Sequence, residues 1–137
     1  MRFQKTTEYA IRVMVFLADH REERYSANQL HRILQIPYKY LGRLMHKLSG
    51  AGLVDVTQGK QGGYRIIQEL SRIYLSEIVN VVEGLGDYGR CVLGFPECSP
   101  ENPCSLHNMW QSRQESIKNM VYDTTLADLQ SNGETKY

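Results

Sequence analysis

Between residues 5 and 19 the apolar positions recur on a helical period: Tyr9, Ala10, Val13, Met14, Phe16 and Leu17 share one broad face. A second helix is predicted to begin after Ser26. Ser26 and Gln29 have the spacing of a capping box, in which a hydroxyl and a side-chain amide satisfy each other's free backbone groups. Leu30, Ile33 and Leu34 are its expected buried face. Pro37 disfavours helical geometry in the residue before it and so breaks the chain. A third helix follows over 38–49. Leu41, Leu44, Met45 and Leu48 form its core stripe, and Lys39, Arg43, His46 and Lys47 stand opposite.

The period then changes. Residues 53–57 and 64–67 alternate as strands do, around the glycine-rich segment 58–63, which predicts a β-hairpin. A fourth helix is expected over 75–83. Residues 84–104 hold four Gly, three Pro and all three cysteines of the chain, the composition of a loop. A long helix over 105–122 carries Leu106, Met109, Trp110, Ile117, Met120 and Val121 along one side. Thr125 and Asp128 fit the cap of a short helix over 126–130, and 131–137 reads as a frayed polar tail. The fold class is mainly α with a small β-hairpin wing. Three regions are expected: a winged helix-turn-helix over 1–83, a cysteine-rich loop over 84–104, and a dimerisation helix with tail over 105–137.

Charge sharpens this picture. Residues 24–68 carry seven Lys or Arg and one acid, a net of +6 that leaves −5 for the remainder. A basic block inside acidic flanks predicts a polyanion bound by one face. In a winged helix-turn-helix the second helix of the pair enters the major groove, so Lys39, Tyr40, Arg43 and Lys47 are the candidate base and phosphate contacts. Ser26, at a helix N-terminus, is placed for a phosphate. Gln58, Lys60, Gln61 and Gly62 form a slim wing tip suited to a minor groove.

The other chemistry is sulfur. Cys91, Cys98, Cys104 and His107 are spaced C-x6-C-x5-C-x2-H. Thiolates suit Zn, Cu(I) or iron–sulfur clusters. The gaps are wider than those of most zinc sites, which favours a loop folded around a larger object such as a cluster. Arg90 beside Cys91 favours a thiolate, and hence ligation or oxidation; a thiol switch, or a zinc site without a cluster, is the alternative. No 18-residue apolar run predicts a membrane span, and the N-terminal segment lacks the features of a signal peptide. A cytoplasmic setting is therefore expected, in which cysteines stay reduced. The absence of a CxxC motif, a phosphate-binding glycine loop and a nucleophile triad argues against an enzyme.

Several short motifs agree in order and spacing: Tyr9-Ala10, Ile36 to Leu41, Gly52-Leu53-Val54, Gly62-Gly63-Tyr64, Ser76-Glu77-Ile78, the cysteine loop, and Thr125 to Leu129. In these the chain resembles the bacterial iron–sulfur and redox regulators typified by IscR, NsrR and CymR. The resemblance implies a homodimer formed through the long helix, a palindromic double-stranded DNA operator, and a 2Fe–2S or 4Fe–4S cluster on Cys91, Cys98 and Cys104. It implies two candidates for the fourth ligand: His107, as in the IscR branch, or Glu8 from the partner subunit, as in the NsrR branch. The sequence departs from the IscR pattern in its six-residue first cysteine gap, in Gln58 where an arginine is usual, and in Gly42 at a base-reading position.

Overall fold

The computed structural model describes residues 2–130 and 136–137, and the side chain of Asp87 is outside that description. The order of elements is α1 (Lys5–Asp19), α2 (Ala27–Leu34), α3 (Tyr38–Gly50), β1 (Asp55–Thr57), β2 (Gly63–Arg65), α4 (Leu75–Val82), α5 (His107–Asp123) and α6 (Leu126–Leu129). Single 3-10 turns lie at Leu70–Arg72 and Gly86–Gly89.

The apolar face of α1 is the centre of the core. Ala10, Val13, Met14 and Leu17 are buried and meet Leu30 and Leu34 of α2, Leu41, Met45 and Leu48 of α3, and Ile78 of α4. The capping box forms as the spacing predicts: Gln29 N donates to Ser26 Oγ at 3.1 Å and Ser26 N to Gln29 Oε1 at 2.8 Å. Ile33, expected inside, is 51% exposed. An eight-residue helix packed on one side has room for Leu30 and Leu34 only, and Ile33 falls beside that stripe.

α2 ends at Gln35, which takes a left-handed conformation at φ 56°. The turn into α3 is then tied from two sides. Arg12 donates to the Leu34 carbonyl at 2.7 Å, and His31 Nδ1 lies 2.7 Å from the Ile36 carbonyl. The first satisfies a carbonyl that the end of α2 leaves free, and the second lies at a carbonyl of the turn itself.

The wing is shorter than the alternation suggested. Its antiparallel register is Asp55↔Arg65, Val56↔Tyr64 and Thr57↔Gly63, and Tyr25 bridges to Tyr64 on the free edge of β2. Arg24 fastens the base of the hairpin. It donates to the carbonyls of Asp55 and Gly63, at 3.2 and 3.1 Å, and pairs with the Asp55 carboxylate at 2.6 Å.

Two regions differ from expectation. The 84–104 segment is not loop throughout: it contains a 3-10 turn, in which Tyr88 is buried against Leu75, Val79 and Val121. The frayed tail is half corrected. Residues 131–135 lie outside the described residues, but the Tyr137 hydroxyl donates to Asp19 at 2.8 Å and its ring stands edge-on to Phe16. In α5 only Val121 is buried; Met109 is 64% exposed and Met120 47% exposed.

Candidate DNA-reading surface and sulfur site

α3 buries Leu41, Leu44, Met45 and Leu48 and so turns its basic face outward. Lys39, Arg43 and Lys47 are exposed at four-residue spacing, one above another along the helix. Tyr40 is half-buried. Its ring packs 5.5 Å from Tyr9 and lies 5.2 Å beneath the Lys39 ammonium. Lys39 is thus steadied by a cation–π contact while its charge stays in solvent. His46 is exposed on the same side.

Ser26 caps α2, with its hydroxyl hydrogen still available to an acceptor. Gln58, Lys60 and Gln61 are exposed at the wing tip. Gly62 has a structural reason to be glycine: a Cβ there would sit 2.3 Å from the Thr57 carbonyl oxygen. Of the seven basic residues in the block, Arg24 is spent on the hairpin and is not part of an outward face.

The sulfur site assembles in the loop between α4 and α5. After Tyr88 the chain runs out to Cys91, and a tight turn returns Gly94 N to the Cys91 carbonyl at 2.9 Å. A second turn, closed by the Ser99–Asn102 bridge, brings the chain back to Cys104 at the start of α5. The three sulfurs converge within 4.8 Å of one another although they span 14 residues. Cys91 Sγ lies 3.6 Å from Cys104 Sγ, and the Cys104 amide donates to Cys98 Sγ at 3.5 Å. His107 stands beside this group, its Nδ1 3.2 Å from Cys98 Sγ and its Nε2 buried without a hydrogen-bond partner among the described residues. The Trp110 indole nitrogen is likewise buried and unpartnered on the wall of the same cavity.

The cysteines differ electrostatically. Desolvation pushes the Cys91 thiol up, but backbone hydrogen bonds from Phe95 and Leu93, aided by the Cys104 and Cys98 thiols, outweigh it and bring it down to about 7. Desolvation, followed by the neighbouring sulfurs, raises Cys104 despite a backbone bond from Leu106. This donor set fits a soft metal or an iron–sulfur group: three thiols facing one point, and an imidazole beside them whose polar atom lacks a partner. Cys91, Cys98 and Cys104 are the residues that would hold such a group.

Glu8 is not gathered to the sulfurs of its own chain. It sits in the first turn of α1, 3.1 Å from Lys5 Nζ. Sequence reasoning missed the residues that join the two sites. The Glu83 carboxylate accepts from Gln4 N, the Thr7 hydroxyl and the Tyr88 hydroxyl, at 2.9, 3.0 and 2.9 Å. Gln114 Nε2 holds the carbonyls of Tyr88 and Arg90 at 2.6 and 3.2 Å. One signal was present: an acid at the C-terminal end of a helix opposes the helix dipole and so needs a reason to be there.

Comparison with known proteins identifies the family and the fold. The chain is 29% identical over 131 residues to an HTH-type transcriptional regulator of Aquifex aeolicus, covering 94% of this chain and 91% of that protein. It is 30% identical over 137 residues to the HTH-type transcriptional regulator IscR of Vibrio atlanticus, covering 98% and 78%. Among solved structures, CymR, the global cysteine regulator of B. subtilis, superposes with a TM-score of 0.78 at 24% identity, over 99% of each chain. T. potens IscR superposes with a TM-score of 0.71 at 27% identity, over 94% of this chain and 85% of that one. The family model described as an iron-dependent transcriptional regulator matches residues 3–132, and the chain therefore belongs to the Rrf2 family of DNA-binding, winged-helix transcription regulators.

Proposed function

We propose that two copies of the chain pair through α5 and bind a palindromic double-stranded DNA operator, and that the state of the cysteine site sets their affinity. Lys39, Tyr40, Arg43 and Lys47 face the major groove, Ser26 a phosphate, and Gln58, Lys60, Gln61 and Gly62 the minor groove. Cys91, Cys98 and Cys104 hold an iron–sulfur cluster, 2Fe–2S or 4Fe–4S. The observation that carries the reading is the meeting of three sulfurs within 4.8 Å at the junction of the reading head and α5. Among the described residues no helix is long and apolar enough to cross a membrane.

When bound, a cluster supplies iron and sulfide that respond to iron–sulfur supply, nitric oxide or oxidants. The chain supplies the rest. The turn at Gly94 and the Ser99–Asn102 bridge bring Cys91, Cys98 and Cys104 together. His107 is the better placed fourth donor within the chain, and Glu8 of a partner copy is the alternative. Because the loop joins α4 to α5, a change in its shape alters how the two heads are spaced. Heads reading one operator must meet grooves about 34 Å apart, so small rotations matter.

A second reading has its own observation. Cys91 and Cys104 sulfurs 3.6 Å apart can close to a disulfide with little movement, and Cys91 is the more acidic of the two. On that reading the same loop is a thiol switch, or holds zinc, without a cluster.

Anaerobic purification followed by a visible spectrum with iron and sulfide counts separates them. Sulfur-to-iron charge-transfer bands with matched iron and sulfide are expected. Operator affinity is expected to differ between loaded and metal-free protein, and the difference to vanish when the three cysteines become serine. A colourless protein that takes up no cluster on reconstitution sinks the cluster reading. Reversible loss of two thiols, or one zinc per chain, then selects between the switch and the zinc site.

A further inference from the structure

We propose that Tyr88 and Glu83 are positioning residues that carry the state of the cysteine loop to α1 and, through α1, to the recognition helix α3. The proposal rests on the reading that the cysteine loop sets DNA affinity, and it names the residues through which that happens.

Tyr88 is the one buried side chain described between residues 84 and 104. It is the point at which the loop grips the body of the protein, three positions before Cys91. Its ring is fixed by Leu75 and Val79 of α4 and Val121 of α5, and its carbonyl is held by Gln114. Its hydroxyl donates to one oxygen of Glu83 at 2.9 Å. The other oxygen of the same carboxylate accepts from Gln4 N at 2.9 Å and from the Thr7 hydroxyl at 3.0 Å.

That carboxylate takes the part an N3 acid plays in a capping box: it accepts the backbone N–H of the N-cap residue Gln4, one of the amides the start of α1 leaves free. Thr7 has no exposure to solvent, so its hydroxyl depends on Glu83 for an acceptor in place of water. A shift of Tyr88 therefore acts on two donors at the start of α1.

From there α1 is a rigid rod to the DNA-reading surface. Tyr9, two residues on, packs against Tyr40 at 5.5 Å. Arg12 bonds to Leu34 O at 2.7 Å, at the turn that sets the angle of α3. Every step from Cys91 to Tyr40 is a short chain segment, a hydrogen bond or a packed ring pair, a contiguous physical path of the kind coupling requires. Simple stapling of the fold by the same bonds predicts something different. A staple affects loaded and metal-free protein alike, whereas a transmitter changes the difference between them.

The test uses Tyr88→Phe, which keeps the buried ring and removes the hydroxyl, and Thr7→Val, which does the same at the far end. Operator affinity is measured for wild type and both variants, cluster-loaded and metal-free. The ratio of the two affinities in wild type is expected to shrink at least about fivefold in either variant, with the cluster spectrum unchanged. The double variant is expected to lose no more than either single one, since both break one path. An equal loss in both states, leaving the ratio intact, overturns the proposal.

Amide exchange on the metal-free protein gives a readout independent of any cluster. Alkylation of the cysteines with iodoacetamide is expected to change exchange at the Gln4 amide in wild type and not in Tyr88→Phe. No change in wild type, or a change that survives the substitution, also overturns it. Should loaded and metal-free wild type bind the operator equally, cluster gating fails. The exchange experiment alone then decides the path.

Discussion

Two glycines show how differently one residue type can be constrained. Gly63 has φ +137°, and a Cβ there would lie 2.6 Å from the Tyr25 carbonyl carbon, where the Tyr25–Tyr64 bridge seals the wing to the body. Gly42 lies inside α3 with nothing within 4 Å of an added Cβ. Gly63→Ala is expected to lower stability by ~2 kcal/mol or more, from strain and clash together. Gly42→Ala is expected to raise it by ~0.5–1 kcal/mol, the helix-propensity gain. Urea melts of both variants check this, and a stabilising Gly63→Ala would be incompatible with the wing geometry. A fall in operator affinity for Gly42→Ala, despite higher stability, would mark position 42 as facing the groove.

The cysteines can be ranked in the same way. Cys91 is lowered to about 7 and Cys104 is raised. Thiolate, the reactive form, grows as pH rises through a thiol's pKa. In metal-free protein, alkylation of Cys91 should therefore reach half its maximal rate near pH 7, while Cys104 should need a higher pH than an ordinary thiol. Mass spectrometry of iodoacetamide adducts against pH measures this. Faster labelling of Cys104 at neutral pH contradicts the geometry of the loop.

At the scale of elements, charges of one sign have separate jobs. Arg24 is three-quarters or more enclosed and makes three bonds across the base of the wing, whereas Lys39 is exposed. Arg24→Ala should cost ~1–2 kcal/mol, at the low end for a charge-assisted network because Asp55 remains partly in water. Lys39→Ala should cost no more than ~0.5–1 kcal/mol, the exposed cation–π contact with Tyr40, and make the salt dependence of operator binding shallower by about 0.9, the share of one phosphate contact. Equal melting curves for wild type and Arg24→Ala would remove it as the wing's fastener.

The same contrast explains what could be read ahead of the structure. Helices α1 to α3 and their core faces were legible because each has a strong period and α2 has a local cap. The meeting of the sulfurs was legible as a cluster of residue types. The hydrogen bonds of Glu83 to Gln4 and Thr7 were not, because its partners lie 79 and 76 positions away and no local pattern encodes them. Ile33 was misplaced because periodicity gives a stripe but not its width. The division of labour between Arg24 and Lys39 was hidden because composition counts charge without showing what it touches.

For the whole molecule, the decisive feature is α5. It has 17 residues, about 25 Å of helix, and within one chain it buries only Val121. Leu106, Met109, Ile117 and Met120 recur at helical spacing along it, with Met109 and Met120 well exposed. A second copy of the same helix would cover this side and add core to a small domain. Met109→Glu combined with Met120→Glu should turn a dimer in sedimentation equilibrium into a monomer. Operator affinity should fall by about a hundredfold or more, since the second half-site loses its effective concentration. The same variant bears on the fourth ligand. Glu8 is not gathered with the sulfurs of its own chain, while His107 sits 3.2 Å from Cys98. The monomer is therefore expected to take up a cluster on anaerobic reconstitution and to lose that ability when His107→Ala is added. A monomer that fails to hold a cluster, together with a His107→Ala dimer that keeps one, would transfer the fourth position to the partner subunit.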